Sequence, residues 1–312
     1  MYPLYLKYDL TVSMVLYKTN TAELETAIEL ISASSLKTKI FLVDNSPTDE
    51  LRLIAEKYKT EYLFNDLNLG YGTAHNIAIK KAAGWAEYHL VMNTDIDFDP
   101  EILEKALLCM NDNPDIGLLS PTIRLFSGEL QHFCRLLPNP FDLFARRFIP
   151  GFIKPLLKKR LDKYVLAKND YSKPMNIPNL PGCFMFMRLS DLEKVKGFDE
   201  NMFMYVEDID LTRRLHEISK TVYYPEIEIR HGLARGSYKF SKLVIYHINS
   251  AIYYFNKWGW FFDKNRIIIN AKAKAAPVYV HLHKTIKMSV LYGTAFQNED
   301  SQSLTHVKRT VV

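Results

Sequence analysis

Apolar runs alternate with segments of helical spacing along the first hundred residues. Thr11 to Tyr17 and Lys39 to Val43 read as short buried strands. Between them, Ala22 to Ile31 places apolar residues three and four apart, with Thr21 able to cap the start. The result is a β-α-β unit. The alternation continues through a strand near Tyr62 to Phe64, a helix from Thr73 to Ala83 and a strand at Tyr88 to Met92. A further helix follows, capped by Asp99 with Pro100 in its first position. These elements predict an α/β fold, a mostly parallel sheet flanked by helices. Ligands of such sheets bind beyond the carboxyl ends of the strands, so the polar residues at those ends are the first place to look for chemistry.

Phe141 to Pro174 breaks the alternation. It carries nine Lys and Arg residues against Asp142, Asp162 and Asp170, interleaved with Phe141, Phe144, Phe148, Phe152, Leu156, Leu157 and Leu161. Interrupted amphipathic helices lying on an anionic membrane surface have this composition, and so does a solvated excursion that packs a few apolar residues on the main domain. The recurrence of basic and bulky apolar residues together over the whole segment favours the membrane. Beyond residue 240, Tyr246, Ile248, Ile252, Tyr253, Phe255, Trp258, Trp260, Phe261 and Phe262 predict an aromatic-rich helical extension, partly core and partly interfacial belt. Residues after about Ser289 are polar and are expected to fray. The expected organisation is therefore a catalytic domain over 1–240, with 141–174 inserted in it, and a helical extension over 241–312.

At 48% hydrophobic and 24% charged, the chain has the composition of a folded protein, which excludes a disordered or collagen-like one. Cys109, Cys134 and Cys183 are widely spaced and form no zinc pattern, so a reducing cytoplasmic compartment fits best. The first ten residues include Lys7 and Asp9 and form no apolar signal segment. Leu243 to Phe262 is interrupted by His247, Asn249, Asn256 and Lys257, short of the roughly 20 apolar residues of a bilayer span. The net charge of +5 divides into −8 over residues 1–120 and +13 over residues 121–312, so the two parts face different partners. No nucleic-acid recognition module accompanies the basic part.

Five polar clusters carry candidate chemistry. Asp44-Asn45-Ser46 ends a strand, where a carboxylate accepts the imide N–H of a uracil or thymine base; alone, it is also a common turn. Asn68 to Asn76 places Gly70 and Gly72 before a helix, a geometry that lets backbone approach an anion. It matches neither the P-loop nor the dinucleotide fingerprint. Asn93-Thr94-Asp95-Ile96-Asp97 ends a strand with two carboxylates suited to Mg²⁺ or Mn²⁺, although Asp97 also suits turn chemistry. Gly197 to Arg214 sets Glu207 and Asp208 among Phe203, Met204 and Tyr205, where burial and mutual repulsion shift protonation toward that of a general base. His231, among Gly232, Arg235, Gly236, Ser237 and Lys239, is a candidate metal or diphosphate contact.

In this order, the stretches FLVDNS, NLGYGTAHN, VMNTDID, PGCFMFMR and GFDENMFMYVEDIDLTRR, followed by His231, resemble glycosyltransferase family 2 over about residues 10–240. These are inverting enzymes of the GT-A (Rossmann-like) fold, and the last two stretches resemble the bacterial rhamnosyltransferase-like branch that builds surface polysaccharide. The resemblance implies a dTDP- or UDP-sugar donor, with its base near Tyr17 and Asp44 and its ribose and diphosphate near Asn68, Gly70 and Gly72. It implies a metal on the DxD-like segment, read either as Asn93-Thr94-Asp95 or as Asp95-Ile96-Asp97, with His231 as a further ligand. Asp95 belongs to both registers. Asp208 becomes the base, Glu207 orients acceptor or base, and Pro181-Gly182-Cys183 lines the site by backbone. Cys183 reads as packing rather than nucleophile. The implied reaction moves L-rhamnose to a lipid-linked or oligosaccharide acceptor at the inner face of the cytoplasmic membrane. The competing readings are a UDP-hexose transferase, a sugar-phosphate nucleotidyltransferase, whose glycine-rich basic signature is missing near Tyr17 to Glu23, and a nucleotide-sugar-binding scaffold.

Overall fold

The computed structural model describes residues 6–143, 154–232, 242–275 and Val280. Among these, one sheet contains β1 (Leu10–Leu16), β2 (Thr38–Asp44), β3 (Glu61–Phe64), β4 (Tyr88–Met92), β5 (Ile96–Phe98), β6 (Ile116–Arg124), β7 (Met175–Asn176), β8 (Phe184–Arg188) and β9 (Lys220–His231). The order is β3-β2-β1-β4-β8-β6-β9-β5, with β7 also on β9. Following the pairing senses across the sheet, β1, β2, β3, β4, β6 and β9 run one way, while β5, β7 and β8 oppose them. The mostly parallel sheet expected from the alternation is therefore present, and its strand carboxyl ends share one edge.

The helices are α1 (Thr21–Ser32), α2 (Arg52–Lys57), α3 (Tyr71–Ala82), α4 (Glu101–Asp112), α5 (Lys154–Tyr164), α6 (Leu189–Lys194), α7 (Glu207–His216), α8 (Lys242–Trp258) and α9 (Lys264–Ala275). In α1, Leu24, Ala27, Ile28 and Ile31 form the buried stripe that helical spacing demands. Its cap is Asn20 rather than Thr21. The extended residue before the first turn is Asn20, and its Oδ1 accepts the N–H groups of Ala22 and Glu23. Helix α4 begins at Glu101, one residue later than expected, with Pro100 at its cap position, and the Asp99 carboxylate accepts the N–H of Glu101 at 3.0 Å.

Two apolar layers sandwich the sheet. On one face α1 and α4 pack on Val12, Met14, Ile40 and Leu42; on the other α3 and α7 pack on Phe41, Val43, Val91 and Met185. A third cluster joins Val206 and Ile209 to Ala251, Tyr254 and Phe255 of α8. The aromatic-rich extension thus forms a helix with a buried face, and none of the described helices is long and apolar enough to cross a membrane. The basic insertion is described only in part: 144–153 lie outside the described residues, as do Arg235, Gly236, Ser237, Lys239 and the tail beyond Ser289. Tyr164 and Leu166 enter the core, Arg160 lies 3.9 Å over the ring of Phe141, and Leu156 faces solvent.

A polar chain crosses the α3 side of the sheet. Thr11 Oγ1 meets His89 Nδ1 at 2.8 Å, His89 Nε2 meets Ser13 Oγ at 2.8 Å, and Ser13 Oγ meets His75 Nδ1 at 2.7 Å. All four residues are fully buried. Burial lowers the pKa of both imidazoles, that of His89 to about 3, so both are neutral.

Candidate active site

The carboxyl edge of the sheet assembles the site from its loops. Asp44, the last residue of β2, is fully buried, with Oδ1 accepting the N–H of Ser46 at 2.8 Å and Oδ2 the hydroxyl of Tyr62 at 2.6 Å. Both carboxylate oxygens are thus engaged within the chain. Tyr17 is 51% exposed just past β1, next to Lys18, whose N–H donates to Ser46 Oγ of the same loop at 2.8 Å. Asn68 Oδ1 accepts the N–H of Gly70 at 3.0 Å and lies 3.4 Å from Asn45 Nδ2.

Gly70 has φ +84°, and a Cβ there would lie 2.2 Å from the carbonyl oxygen of Phe203; a Cβ on Gly72 would lie 2.8 Å from Phe198 Cβ. The close approach that these glycines permit is therefore to the 197–206 segment of the same chain. That contact brings the start of α3 against the residues that lead into α7.

Asn93 and Asp95 follow β4 directly and meet the end of β9. Asp95 Oδ1 lies 3.2 Å from His231 Nε2, and Asn93 Nδ2 lies 3.5 Å from the same nitrogen. The strand at Thr221 to Tyr224 runs on to His231 through a register irregularity after Tyr224, which carries the histidine to this edge. Asp97 does not join them. As the middle residue of β5 it pairs in register with Arg230, whose guanidinium is 3.5 Å from its carboxylate. Asn93 and Asp95 thus meet His231, while the hydroxyl of Thr94, between them, donates to Glu23.

Gly182 lies between the two halves of the site. Its N–H donates to Asp208 Oδ2 at 3.1 Å, and its carbonyl accepts the hydroxyl of Tyr71 at 2.8 Å, which also lies 3.0 Å from Asn93 Oδ1. A Cβ on Gly182 would meet Asp208 Cβ at 3.1 Å, so a glycine lets the peptide lie flat against the acid. Glu207 and Asp208 open α7, the end where the helix dipole favours carboxylates. Burial, and then the charge of Asp208, lifts the Glu207 carboxyl well above the usual carboxylate range. Burial also raises Asp208, against the lowering charge of Arg135 and the N–H bonds from Ile209 and Gly182. Among the described residues, Glu207 Oε2 is buried without a hydrogen-bond partner. Cys183 is buried, and desolvation pushes its thiol up to about 12, with Asp95 and Asp208 adding to the effect, so it is a packing residue and not a thiolate.

A strand-end carboxylate loop, a glycine turn, an acid–histidine pair and a helix-borne acid pair therefore share one edge. The family model for glycosyl transferase family 2 matches residues 11–196, more than half of the chain. The chain belongs to this family. The glycosyltransferase is 28% identical over 246 residues to N-acetylglucosaminyl-diphospho-decaprenol L-rhamnosyltransferase of Mycobacterium tuberculosis, covering 73% of this chain and 78% of that one. It is 27% identical to rhamnosyltransferase WbbL of Escherichia coli, covering 73% and 85%. Its fold is that of the GT-A enzymes. GalNAc-T7, solved with UDP, GalNAc and Mn²⁺, superposes with a TM-score of 0.56 at 12% identity over 77% of this chain and 47% of that one. Staphylococcus aureus TarS superposes at 0.50 with 15% identity over 82% and 44%. The chain thus spans a little under half of each of these solved chains.

Two residues of the glycosyltransferase escaped the sequence reading. Tyr71 joins the start of α3 to both Asn93 and Gly182; its signal was an aromatic set between two glycines. Asn45 donates to the carbonyl of Gly70 at 3.1 Å and accepts from Asn65 at 2.8 Å, tying the end of β2 to the glycine turn. Its signal was a buried amide in what reads as an ordinary turn.

Proposed function

We propose that this glycosyltransferase moves L-rhamnose from dTDP-rhamnose, with inversion, to a lipid-linked glycan acceptor in surface polysaccharide assembly. The rhamnosyltransferases among its relatives support the sugar, and the lipid-diphosphate acceptor named for the mycobacterial one supports the acceptor class. The observation that carries the chemistry is the Gly182 peptide, held by Asp208 on one side and on the other by Tyr71, whose hydroxyl also reaches Asn93. It sets an acid pair opposite a metal-type pair across a single residue.

Asp95 and His231 fit a Mg²⁺ or Mn²⁺ ion. A carboxylate oxygen and an imidazole nitrogen face each other at 3.2 Å, and His231 Nδ1 is buried without a partner among the described residues. Two protein ligands are what such an ion takes when diphosphate oxygens and water complete its shell, and no third His, Cys, Asp or Glu joins them among the described residues. When bound, the cation supplies positive charge to the departing diphosphate. Tyr17 and the Asp44 loop take the base, with Asn68 flanking the ribose and diphosphate, while Gly70 and Gly72 seat this turn on the 197–206 segment. Asp208 takes the proton of the acceptor hydroxyl as that oxygen attacks the anomeric carbon. Each of its oxygens already accepts one backbone N–H and keeps a lone pair for the proton. Glu207 orients Asp208 and the acceptor. One displacement inverts the anomeric centre without a covalent enzyme intermediate.

The lipid-linked acceptor brings the enzyme to the inner face of the cytoplasmic membrane. Phe262 is 97% and Phe261 72% exposed, and Leu156, Ile267 and Ile268 are exposed as well. They share α5, α9 and the loop before α9 with Lys158, Lys159, Lys163 and Lys264, a basic and apolar composition that suits anionic lipid. The test is thermal stabilisation by dTDP and UDP with and without Mn²⁺, followed by transfer from dTDP-rhamnose to a GlcNAc-diphospho-lipid analogue. Metal-dependent stabilisation by dTDP and formation of the disaccharide lipid are expected. Stabilisation by UDP alone overturns the donor, and no shift with either nucleotide overturns the catalytic reading.

A further inference from the structure

Tyr205 and Val206, immediately before the acid pair, both hold left-handed backbone, with φ +67° and +70°. A β-branched residue rarely adopts this conformation, and two successive non-glycine residues in it persist only where the surroundings over-determine them. Helix α8 provides those surroundings. Ser250 Oγ–H donates to the carbonyl of Met204 at 3.0 Å, and the ring of Tyr246 lies 4.3 Å from that of Phe203. Val206 is buried with Ala251, Tyr254 and Phe255. One residue earlier in the turn, the carbonyl of Phe203 accepts the N–H of Tyr71 at 2.9 Å. Successive carbonyls thus bind the glycine turn on one side and α8 on the other.

The end of α8 also grips α7 past the acid pair. Asp210 is fully buried and accepts Trp258 Nε1–H at 2.7 Å, with Lys257 Nζ at 2.8 Å and Arg214 Nε at 2.7 Å. Arg213 makes two bonds to Asp263, at 2.7 and 3.0 Å, while its guanidinium lies 3.8 Å over the Trp258 ring. Glu207 and Asp208 are therefore bracketed by two α8 attachments. If the left-handed turn relaxed and α7 began one residue away, each side chain would rotate by about 100° around the helix. Asp208 would then leave Gly182.

We propose that α8 is part of the catalytic apparatus: Ser250 and Trp258 are positioning residues that hold the Tyr205–Val206 turn and the start of α7 so that Asp208 meets Gly182. The proposal rests on the glycosyltransfer reading for its kinetic consequence, but not for its structural one. The test is Ser250→Ala and Trp258→Phe in the full chain, with Ser250→Thr as the conservative control, followed by steady-state kinetics and amide hydrogen exchange.

Ser250→Ala and Trp258→Phe are expected to lower kcat about 10-fold or more with donor KM within about twofold, since misplacing a reacting group costs the chemical step. Exchange at residues 203–209 is expected to quicken, and Ser250→Thr is expected to restore both. A lower melting temperature with wild-type kcat per folded molecule, or unchanged exchange at 203–209, overturns the proposal. If the wild-type chain transfers no sugar, the functional reading falls, and the exchange measurement alone decides whether α8 holds the turn.

Discussion

Glu207 and Asp208 are adjacent and of like charge, the first buried and the second half-buried, so desolvation and repulsion oppose their ionising together. A base must be ionised to accept a proton, and a raised pKa moves the acid limb of activity toward neutrality. The expected pH profile of kcat/KM therefore falls on acidification from a higher pH than an ordinary carboxylate gives. Asp208→Asn is expected to lower kcat by about 10²-fold or more. Stability runs the other way. A carboxyl whose folded pKa is raised binds its proton more tightly when folded, so stability is full below the ordinary carboxylate range and is lost as pH rises toward the raised value. Glu207→Gln is thus expected to raise the melting temperature at neutral pH by about 2 °C while flattening its pH dependence, which calorimetry across buffers measures. At the metal segment, Asp95→Asn is expected to abolish the response of activity to Mn²⁺ titration, while Asp97→Asn keeps it within about twofold, because Asp97 pairs with Arg230 instead. Sequence order alone left both registers open. What separates Asp97 from His231 is the pairing of β5 with β9, a long-range contact that no local spacing encodes.

At the scale of elements, the glycine turn and the approach to α7 behave as one unit. Gly70→Ala puts a Cβ against the Phe203 carbonyl at a φ that L-residues resist, and a loss of about 2 kcal/mol or more is expected in denaturant unfolding, with weaker nucleotide binding. The β-α-β alternation of the first half was legible because parallel strands buried on both faces read as continuous apolar runs. Strand β8 was hidden in PGCFMFMR, which reads as a motif, and it enters the sheet antiparallel between β4 and β6, against the pattern of its neighbours. The bracket formed by α8 was equally hidden. Aromatic spacing announced a helix there, but not that Ser250, Lys257 and Trp258 would serve α7.

Over the whole molecule, the net positive charge and the most exposed aromatic side chains, Phe261 and Phe262, fall on residues 121–312, whose net charge is +13. Co-sedimentation with vesicles containing anionic lipid is expected to exceed that with zwitterionic vesicles and to weaken with salt. Phe261→Ser with Phe262→Ser is expected to reduce it several-fold without touching kcat on a soluble acceptor. The buried interior on the α3 face of the sheet contains the polar chain from Thr11 to His75. It sits where apolar side chains would pack as well, and it joins β1 to β4 and both to α3. If β1 slid by one residue against β4, Thr11 and Ser13 would turn to the far face, and two imidazoles would be left buried without partners. The chain thus acts as a checksum on strand alignment: only one pairing closes it, and that pairing is the one that brings Asn93 and Asp95 out at the same edge as Asp44.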